Sequence, residues 1–288
     1  MKPDAIARTE AALGLTASSW QAVKSRIGNS RGRWIVRLSG GLSAFVKAPY
    51  DEASALWLRT EALVYQRVKG RFLPRLLAWD GEVMVLEDLS EAEWPPPWTS
   101  EGVALVRAAL DEVAQAAPPA GLPPLTDLRG LVVDSGWPVI QADPKPFLSL
   151  GLCGEAWLSA SMPELHAAAQ TVDLAGSALV HVDIRSDNLC LRDGRALFVD
   201  WNQASVGNPR FDLAEWLPSL AAEGGPPPEQ LMPEADAAPF AAAFAGLWGA
   251  RATLPAPPEL PGLRELQRMQ AAAALAWSAR ALGLPAPR

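Results

Sequence analysis

Cysteine and histidine are scarce in this sequence. Its 288 residues include two cysteines, Cys153 and Cys190, and two histidines. The cysteines lie far apart and lack the short spacing of a metal-binding cluster, so we expect two reduced, packed thiols without a disulfide framework. Acidic residues stand at positions 4 and 10, where a signal peptide needs an apolar core, and we therefore expect a cytoplasmic protein.

Long apolar runs and an excess of positive charge are missing as well. The longest uncharged apolar stretch, residues 237–250, has 14 residues, which is too short to span a bilayer. The formal net charge is −7, and no basic patch with interleaved aromatic residues offsets it. The sequence therefore predicts neither membrane insertion nor nucleic-acid binding, and its 49% hydrophobic and 20% charged residues are typical of a globular protein.

The first part of the chain has the pattern of an antiparallel sheet. After a short helix over residues 4–15, alternating and β-branched residues predict strands, which we place at residues 20–27, 34–39, 42–48, 73–79 and 82–86. The first turn, residues 28–33, contains Ser30 and Gly32, and its backbone N–H groups could form an anion-binding nest for phosphates. An ordinary turn without a ligand is the alternative.

Lys47 is a candidate ligand for an anion. It is one of five lysines, against 20 arginines, and it lies within an apolar strand. An unpaired buried charge is costly, so such a lysine either faces solvent or has an anionic partner. A helix expected over roughly residues 52–68 supplies Glu61, fourteen residues after Lys47, as a candidate partner, with Glu52 as the fallback.

The chemically richest stretch is residues 178–216. Two apolar runs, 189–191 and 196–199, flank a tight turn at residues 192–195 and predict a β-hairpin. Asn188 and Asp200 then face each other at its open end, and amide and carboxylate oxygens are ligands that Mg²⁺ takes. Asp183 precedes the first strand, beside the expected metal, where a carboxylate can orient a hydroxyl and accept its proton.

These residues form a recognisable combination. His181-x-Asp183-x4-Asn188, followed by Asp200-Trp201 and by Asp212 at the start of a helix, resembles the catalytic core of the aminoglycoside phosphotransferase and choline kinase group of the protein-kinase-like superfamily. The resemblance implies a kinase in which Asp183 is the catalytic base and Asn188 and Asp200 hold Mg²⁺. It also implies structural roles for His181 and Asp212. One departure is Val182, which stands where the family commonly has glycine.

The resemblance implies a fold and a nucleotide site. The fold is the bilobal, protein-kinase-like α+β fold, with a five-stranded N-lobe over residues 1–90 that binds the nucleotide and a mostly helical C-lobe over residues 91–288. Lys47 would contact the α- and β-phosphates of ATP, or of GTP, and Glu61 would hold Lys47. The backbone of the hinge would contact the adenine at Glu87, Asp88 and Leu89.

Helical patterns dominate the second part of the chain. A proline run over residues 94–98 marks the lobe boundary. Helices are expected at residues 101–116, capped by Ser100, and, less regularly, at 127–135 and 145–172. Residues 223–239 and 255–261 are expected to be loops, and residues 263–282 to form a packing helix.

The expected acceptor is a small molecule. Only eleven residues separate Asp200 from Asp212, so the long segment with which protein kinases hold a peptide is absent. Arg185 either offsets charge on the transferring phosphoryl group or is a solvent-facing loop residue. Residues 151–288 carry 15 acids and 9 bases, a net charge of −6, whereas residues 1–150 carry 17 acids and 16 bases.

This charge asymmetry favours a cationic acceptor with hydroxyl groups, such as an aminoglycoside. The candidate acids that would attract it are Glu155, Glu164, Asp173, Glu215, Glu229, Glu234 and Asp236. A kinase for a metabolite alcohol of the choline, homoserine or sugar type is the first alternative. A non-catalytic nucleotide-binding protein of the same fold is the second.

Overall fold

The computed structural model describes residues 2–25, 28–233, 237–258 and 260–287, and for residues 24, 25 and 28–30 it describes the backbone alone. A five-stranded antiparallel sheet occupies the amino-terminal part, and helices make up most of the remainder. The α+β class predicted from the sequence is therefore confirmed. Among the helices of the described ranges, none combines the length and apolar composition of a membrane span.

The sheet and its two helices form the first part of the chain. Its strand order is β1-β2-β3-β5-β4, with all neighbours antiparallel. The elements are α1 (Asp4–Leu13), β1 (Ala17–Ser25), β2 (Gly28–Leu38), β3 (Ser43–Lys47), α2 (Glu52–Arg67), β4 (Leu76–Trp79) and β5 (Met84–Glu87).

The predicted turn at residues 28–33 is wrong. Strand β2 begins at Gly28 and pairs with β1 on both sides of an irregularity, first at Gly28 and Asn29 and again from Trp34 to Leu38. Cross-strand pairing has overridden the low β-propensity of the Gly-Asn-Ser sequence, as it often does. Ser30 and Gly32 therefore lie in a strand, and the side chain of Ser30 is outside the described part of the structure.

Each face of the sheet packs on a helix. On one face, Ile6 of α1 joins Val36, Val46 and Val85 in a small apolar core. On the other face, Leu58 of α2 belongs to the large core that continues into the helical region. Removing these side chains from water supplies the main stabilisation of the sheet, because burial of apolar area is the dominant favourable term in folding.

The helical region begins after the proline run. Its helices are α3 (Ser100–Gln115), α4 (Trp137–Ala142), α5 (Lys145–Leu148), α6 (Glu155–Gln170), α7 (Arg210–Ala222), α8 (Pro228–Leu231), α9 (Ala237–Ala252) and α10 (Leu263–Ala281). Short 3-10 segments at Leu125–Leu128 and Trp201–Gln203 and a π-helical turn at Gly130–Asp134 complete it.

Three predictions in this region need correction. The N-cap of α3 is Thr99, whose hydroxyl accepts the Gly102 N–H at 3.0 Å, and Ser100 is the first helical residue. The helix predicted over residues 145–172 is split by a loop in which Gly151 has a φ of 68°, a value that disfavours helix continuation. The loop predicted over residues 223–239 contains α8 and the first turn of α9.

The predicted hairpin holds the residues of the catalytic motif. Strands β7 (Leu189–Arg192) and β8 (Arg195–Phe198) pair in antiparallel register. Asp193 and Gly194 join them with φ angles of 52° and 67°, the pair of positive values that a two-residue type I′ turn requires. Strand β6 (Ala178–Val180) pairs with β9 (Ser205–Gly207), so residues 181–188 cross from one small sheet to the other.

Candidate active site

A cleft between the sheet and the hairpin forms a cavity of about 780 Å³. Its apolar lining includes Ile35, Phe45 and Leu86 from the sheet and Leu89 from the segment that follows β5. Its charged and polar lining comes from both the sheet side and the hairpin side. An apolar pocket with a few convergent polar groups is the usual form of a small-molecule site.

Lys47 connects the two sides of the cleft. It is the last residue of β3, and its Nζ contacts a carboxylate oxygen of Glu61, on α2, and Asp200 Oδ1, beyond β8, at 2.7 Å. Glu61 is almost fully buried, with 2% of its side chain exposed, so a partner is required. Burial raises the pKa of Glu61, and Lys47 opposes that change.

Asp200 is held between two cations. Arg33 Nη2 lies 2.9 Å from its Oδ2, opposite the oxygen that Lys47 contacts. Burial acts to raise the pKa of Asp200, but Lys47 and then Arg33 outweigh it and hold that pKa well below its usual range. Asp200 is therefore an anion, as a carboxylate that binds a metal ion must be.

Helix α7 anchors the loop that carries Asp183. The two carboxylate oxygens of Asp212 accept the backbone N–H groups of His181 at 2.7 Å and of Val182 at 2.9 Å. Burial raises the pKa of Asp212 to about 7, although both N–H bonds act to lower it. Val182 has a φ of 70°, which a β-branched residue rarely adopts and which glycine would adopt without strain.

His181 fixes the loop from within. Its Nε2–H donates to the Val199 carbonyl at 3.0 Å, and its Nδ1 accepts the Asp183 N–H at 3.2 Å. These two bonds require the neutral ring. Burial lowers the pKa of His181 to about 4, consistent with that requirement. The ring packs against Trp201, with 4.5 Å between the ring centroids.

Asp183 projects from this loop into the cavity. Its Oδ2 accepts Asn188 Nδ2 at 2.8 Å, and its Oδ1 lies 3.1 Å from Arg185 Nε. Burial raises the pKa of Asp183, and Arg185 opposes the rise. A carboxylate oriented in this way, with a raised pKa, has the properties of a general base.

The arrangement fits a magnesium ion. The amide N–H groups of Asn188 donate to the carboxylate and the carbonyl of Asp183, which leaves Asn188 Oδ1 as the end that can bind a cation. Asp200 supplies a carboxylate oxygen across the hairpin. Asn202 Oδ1, in the cavity wall, is buried without a hydrogen-bond partner, so it is available to a bound ligand.

A single magnesium ion matches this donor set better than a metal held wholly by the protein. Within the described ranges, no cluster of three or more histidine, cysteine or acidic residues could hold a metal ion. Mg²⁺ is commonly bound by one or two protein oxygens together with water and phosphate oxygens.

The predicted hinge residues differ in whether they line the cavity. Glu87 and Leu89 line the cavity, but the carboxylate of Glu87 accepts the Arg75 N–H at 2.8 Å. The carboxylate of Asp88 is engaged by the hydroxyls of Ser43 and Ser90. These carboxylates therefore order the hinge and are not directed at a ligand, which leaves the backbone as the group that can contact a base.

Four charged residues of the cleft were not predicted as site residues from the sequence. Arg31, Arg33, Asp51 and Asp187 all line the cavity, and Asp187 Oδ1 lies 3.1 Å from Arg185 Nε. Arg33 stands directly opposite Lys47 in the register of β2 and β3. The register of β2 and β3 would have indicated Arg33, but the prediction of a turn at residues 28–33 left Arg33 outside any strand.

The acids proposed to attract a cationic acceptor lie elsewhere. Glu215 is buried behind the catalytic loop and accepts the Ile184 N–H at 3.3 Å, and Glu229 pairs with Arg280. Glu155, Glu164 and Asp173 do not line the cavity either. Glu234 and Asp236 lie outside the described residues. The overall charge asymmetry therefore does not act through these side chains in the cleft.

Fold and cleft together define a phosphotransferase of the protein-kinase-like group. The family model of the phosphotransferase enzyme family matches residues 15–263, which is most of the chain. The chain belongs to the phosphotransferase enzyme family, and the enzyme class predicted from the sequence is confirmed. A comparison with curated proteins found no matching sequence.

Three solved structures share the fold. The aminoglycoside phosphotransferase of Alicyclobacillus acidocaldarius subsp. acidocaldarius is 14% identical over 98% of this chain and 95% of its own, with a TM-score of 0.62. A thermostable mutant of aminoglycoside phosphotransferase APH(4)-Ia, in a ternary complex with AMP-PNP and hygromycin B, is 16% identical over 97% of this chain and 99% of its own, with a TM-score of 0.59. The macrolide 2′-phosphotransferase MphH of Brachybacterium faecium is 18% identical over 99% of this chain and 100% of its own, with a TM-score of 0.52.

Proposed function

We propose that this protein transfers the γ-phosphate of ATP to a hydroxyl group of a small molecule, with Asp183 as the base. The observation that carries the proposal is the position of Asp183, which Asn188 holds at 2.8 Å and which lines the same cavity as Lys47 and Asp200. Phosphoryl transfer through a loose transition state depends mainly on positioning and on charge stabilisation, and this cleft supplies both.

In this proposal residues 1–90 form the nucleotide-binding lobe, and residues 91–288 form the lobe that binds the acceptor. Lys47, fixed by Glu61, binds the α- and β-phosphates, and the backbone of Gly32 and Ser30 approaches them. The backbone at Glu87 to Leu89 binds the base of ATP or GTP. The AMP-PNP bound to the APH(4)-Ia mutant supports nucleotide use in this fold.

Asn188 and Asp200 hold Mg²⁺ in the proposed enzyme. Bound there, the ion neutralises phosphate charge and orients the phosphates. Asp183 aligns the acceptor hydroxyl and takes its proton. Arg185, whose Nε lies 3.1 Å from Asp183, keeps that carboxylate in place and offsets charge on the transferring group.

The proposed acceptor is cationic, with an aminoglycoside as the leading candidate. Around the base, Asp183 and Asp187 share the one guanidinium of Arg185, each at 3.1 Å, which leaves a net charge of −1 on this part of the loop. Farther out, Glu215 and Arg251 act on Asp183 with opposite signs. A metabolite alcohol without a cationic group remains the alternative acceptor.

An acceptor screen tests the proposal. Purified protein is incubated with Mg²⁺ and with ATP or GTP in the presence of aminoglycosides, other cationic antibiotics and neutral or cationic metabolite alcohols. Release of ADP or GDP is measured, and mass spectrometry identifies the phosphorylated acceptor. We expect release with a hydroxyl-bearing cation, and Asp183→Asn is the control. Nucleotide binding without release for any acceptor would contradict the proposal.

A further inference from the structure

Arg33 and Lys47 form a pair of like charges within the sheet. They lie directly opposite each other on β2 and β3, and both line the cavity. Like charges in directly opposed positions destabilise a sheet unless an anion lies between them. In the structure that anion is Asp200, whose Oδ1 lies 2.7 Å from Lys47 Nζ and whose Oδ2 lies 2.9 Å from Arg33 Nη2.

This arrangement conflicts with the proposed metal site. Both carboxylate oxygens of Asp200 are engaged by cations, and a divalent ion on Oδ2 would add a third positive group at close range. Repulsion between two unit charges in a partly buried site is about 4 kcal/mol at 4 Å, and it is twice as large between a divalent ion and a guanidinium. This repulsion favours departure of Arg33 from Asp200 when a metal ion binds there.

Arg33 has room and a new partner for this move. Its side chain is 30% exposed, against 13% for Lys47. A nucleoside triphosphate carries more negative charge than one divalent ion neutralises, and arginine binds phosphate oxygens through two parallel N–H groups.

The backbone next to Arg33 is pinned, so the change is confined to its side chain. The Gly32 carbonyl accepts the Ala48 N–H at 2.8 Å, and Gly32 has a φ of 68°. A Cβ atom on Gly32 would lie 2.1 Å from the Ala48 carbonyl oxygen, so the two strands are in close contact here. Rotation of the arginine side chain can redirect the guanidinium while β2 stays in register.

We propose that Arg33 exchanges Asp200 for the phosphates of the nucleotide, so that metal binding to Asp200 and triphosphate binding to Arg33 favour each other. This inference rests on the proposed nucleotide-dependent function. Before binding, Arg33 competes with the metal ion for Asp200. After binding, Arg33 holds phosphate. Removing the guanidinium should therefore have opposite effects on the two ligands.

The test measures both ligands separately on the full-length protein. Mn²⁺ binding without nucleotide is measured by electron paramagnetic resonance, and ATP and adenosine binding by calorimetry with Mg²⁺. In Arg33→Gln we expect Mn²⁺ affinity to rise by about threefold or more, because a competing cation is lost. We expect ATP affinity to fall about tenfold, the scale of one charge-assisted hydrogen bond, with adenosine affinity unchanged.

Arg59→Gln is the control. Arg59 lies on α2, is exposed and does not line the cavity, so its replacement should change none of the three affinities. Arg33→Lys retains the charge and should keep Mn²⁺ affinity near that of the wild type.

Three outcomes would overturn the inference. Unchanged or weaker Mn²⁺ binding in Arg33→Gln would overturn the exchange alone. Equal losses for ATP and adenosine would overturn the phosphate role, because a disturbed strand would affect both ligands. Wild-type protein that binds no nucleotide would overturn the exchange together with the proposed function.

Discussion

His181 allows a quantitative test of how the catalytic loop is held. Its ring is buried, its Nε2–H donates to the Val199 carbonyl, and its Nδ1 accepts the Asp183 N–H. Protonation at Nδ1 would place a second N–H against the N–H of Asp183 and break that bond. Protonation of His181 therefore destabilises the loop that carries the proposed base.

The size of the effect follows from the pKa of His181. Burial lowers it from 6.5 to about 4, so in this window the unfolded chain binds the proton and the folded chain does not. Stability then rises with pH between these two values and is fully present above the unfolded pKa. The complete shift corresponds to about 3.4 kcal/mol, of which about 2 kcal/mol is lost when the pH falls from 8 to 5.

The assay is urea unfolding at pH 8 and pH 5 for wild-type protein and for His181→Gln, whose amide can donate to Val199 but does not titrate. Wild-type protein should lose about 2 kcal/mol more than the variant between the two pH values. His166 is present in both proteins, so its contribution cancels, and His166→Gln controls for replacement of a histidine. Equal losses in wild-type protein and His181→Gln would refute the assignment of the neutral, buried ring.

Three further predictions concern the cleft. Lys47→Met should weaken ATP binding far more than adenosine binding, because only the phosphates meet the ammonium group; calorimetry showing equal losses would mean that the strand is disturbed. Asp200→Ala should abolish Mg²⁺-dependent nucleotide binding, and unchanged binding at saturating Mg²⁺ would disprove the ligand role. The KM for a cationic acceptor should rise between low and moderate salt, since exposed charges are screened over about 10 Å at 0.1 M, and a KM as flat as that of a neutral sugar alcohol would contradict a cationic acceptor.

Local signals were sufficient to predict the hairpin and much of its surroundings. The Asp193-Gly194 turn between two apolar runs determined the pairing of β7 and β8, and that pairing brought Asn188 and Asp200 to one end. The Lys47–Glu61 contact was implied by the family resemblance, and the helix predicted after the lysine strand supplied Glu61 at a short distance in sequence. In each case the informative residues are close in sequence.

Contacts between distant segments could not be predicted in the same way. Arg33 reaches Asp200 across 167 positions of sequence, and this depends on the register of β2, which the glycines of residues 28–33 obscured. The position of Glu215 behind the catalytic loop depends on how α7 packs, and its charge alone did not distinguish it from a cleft acid. Net charge counted over a lobe carries no information on which side chains face the cavity.

The most direct measurement compares ATP binding with acceptor-dependent ADP release in wild-type protein and in Asp183→Asn. The asparagine keeps the shape of the side chain but cannot accept the hydroxyl proton. ADP release should fall by roughly 10²-fold or more, the usual scale for a positioned base, while the Kd for ATP changes only a few-fold. ADP release that stays within about threefold of the wild-type rate would contradict the role of Asp183.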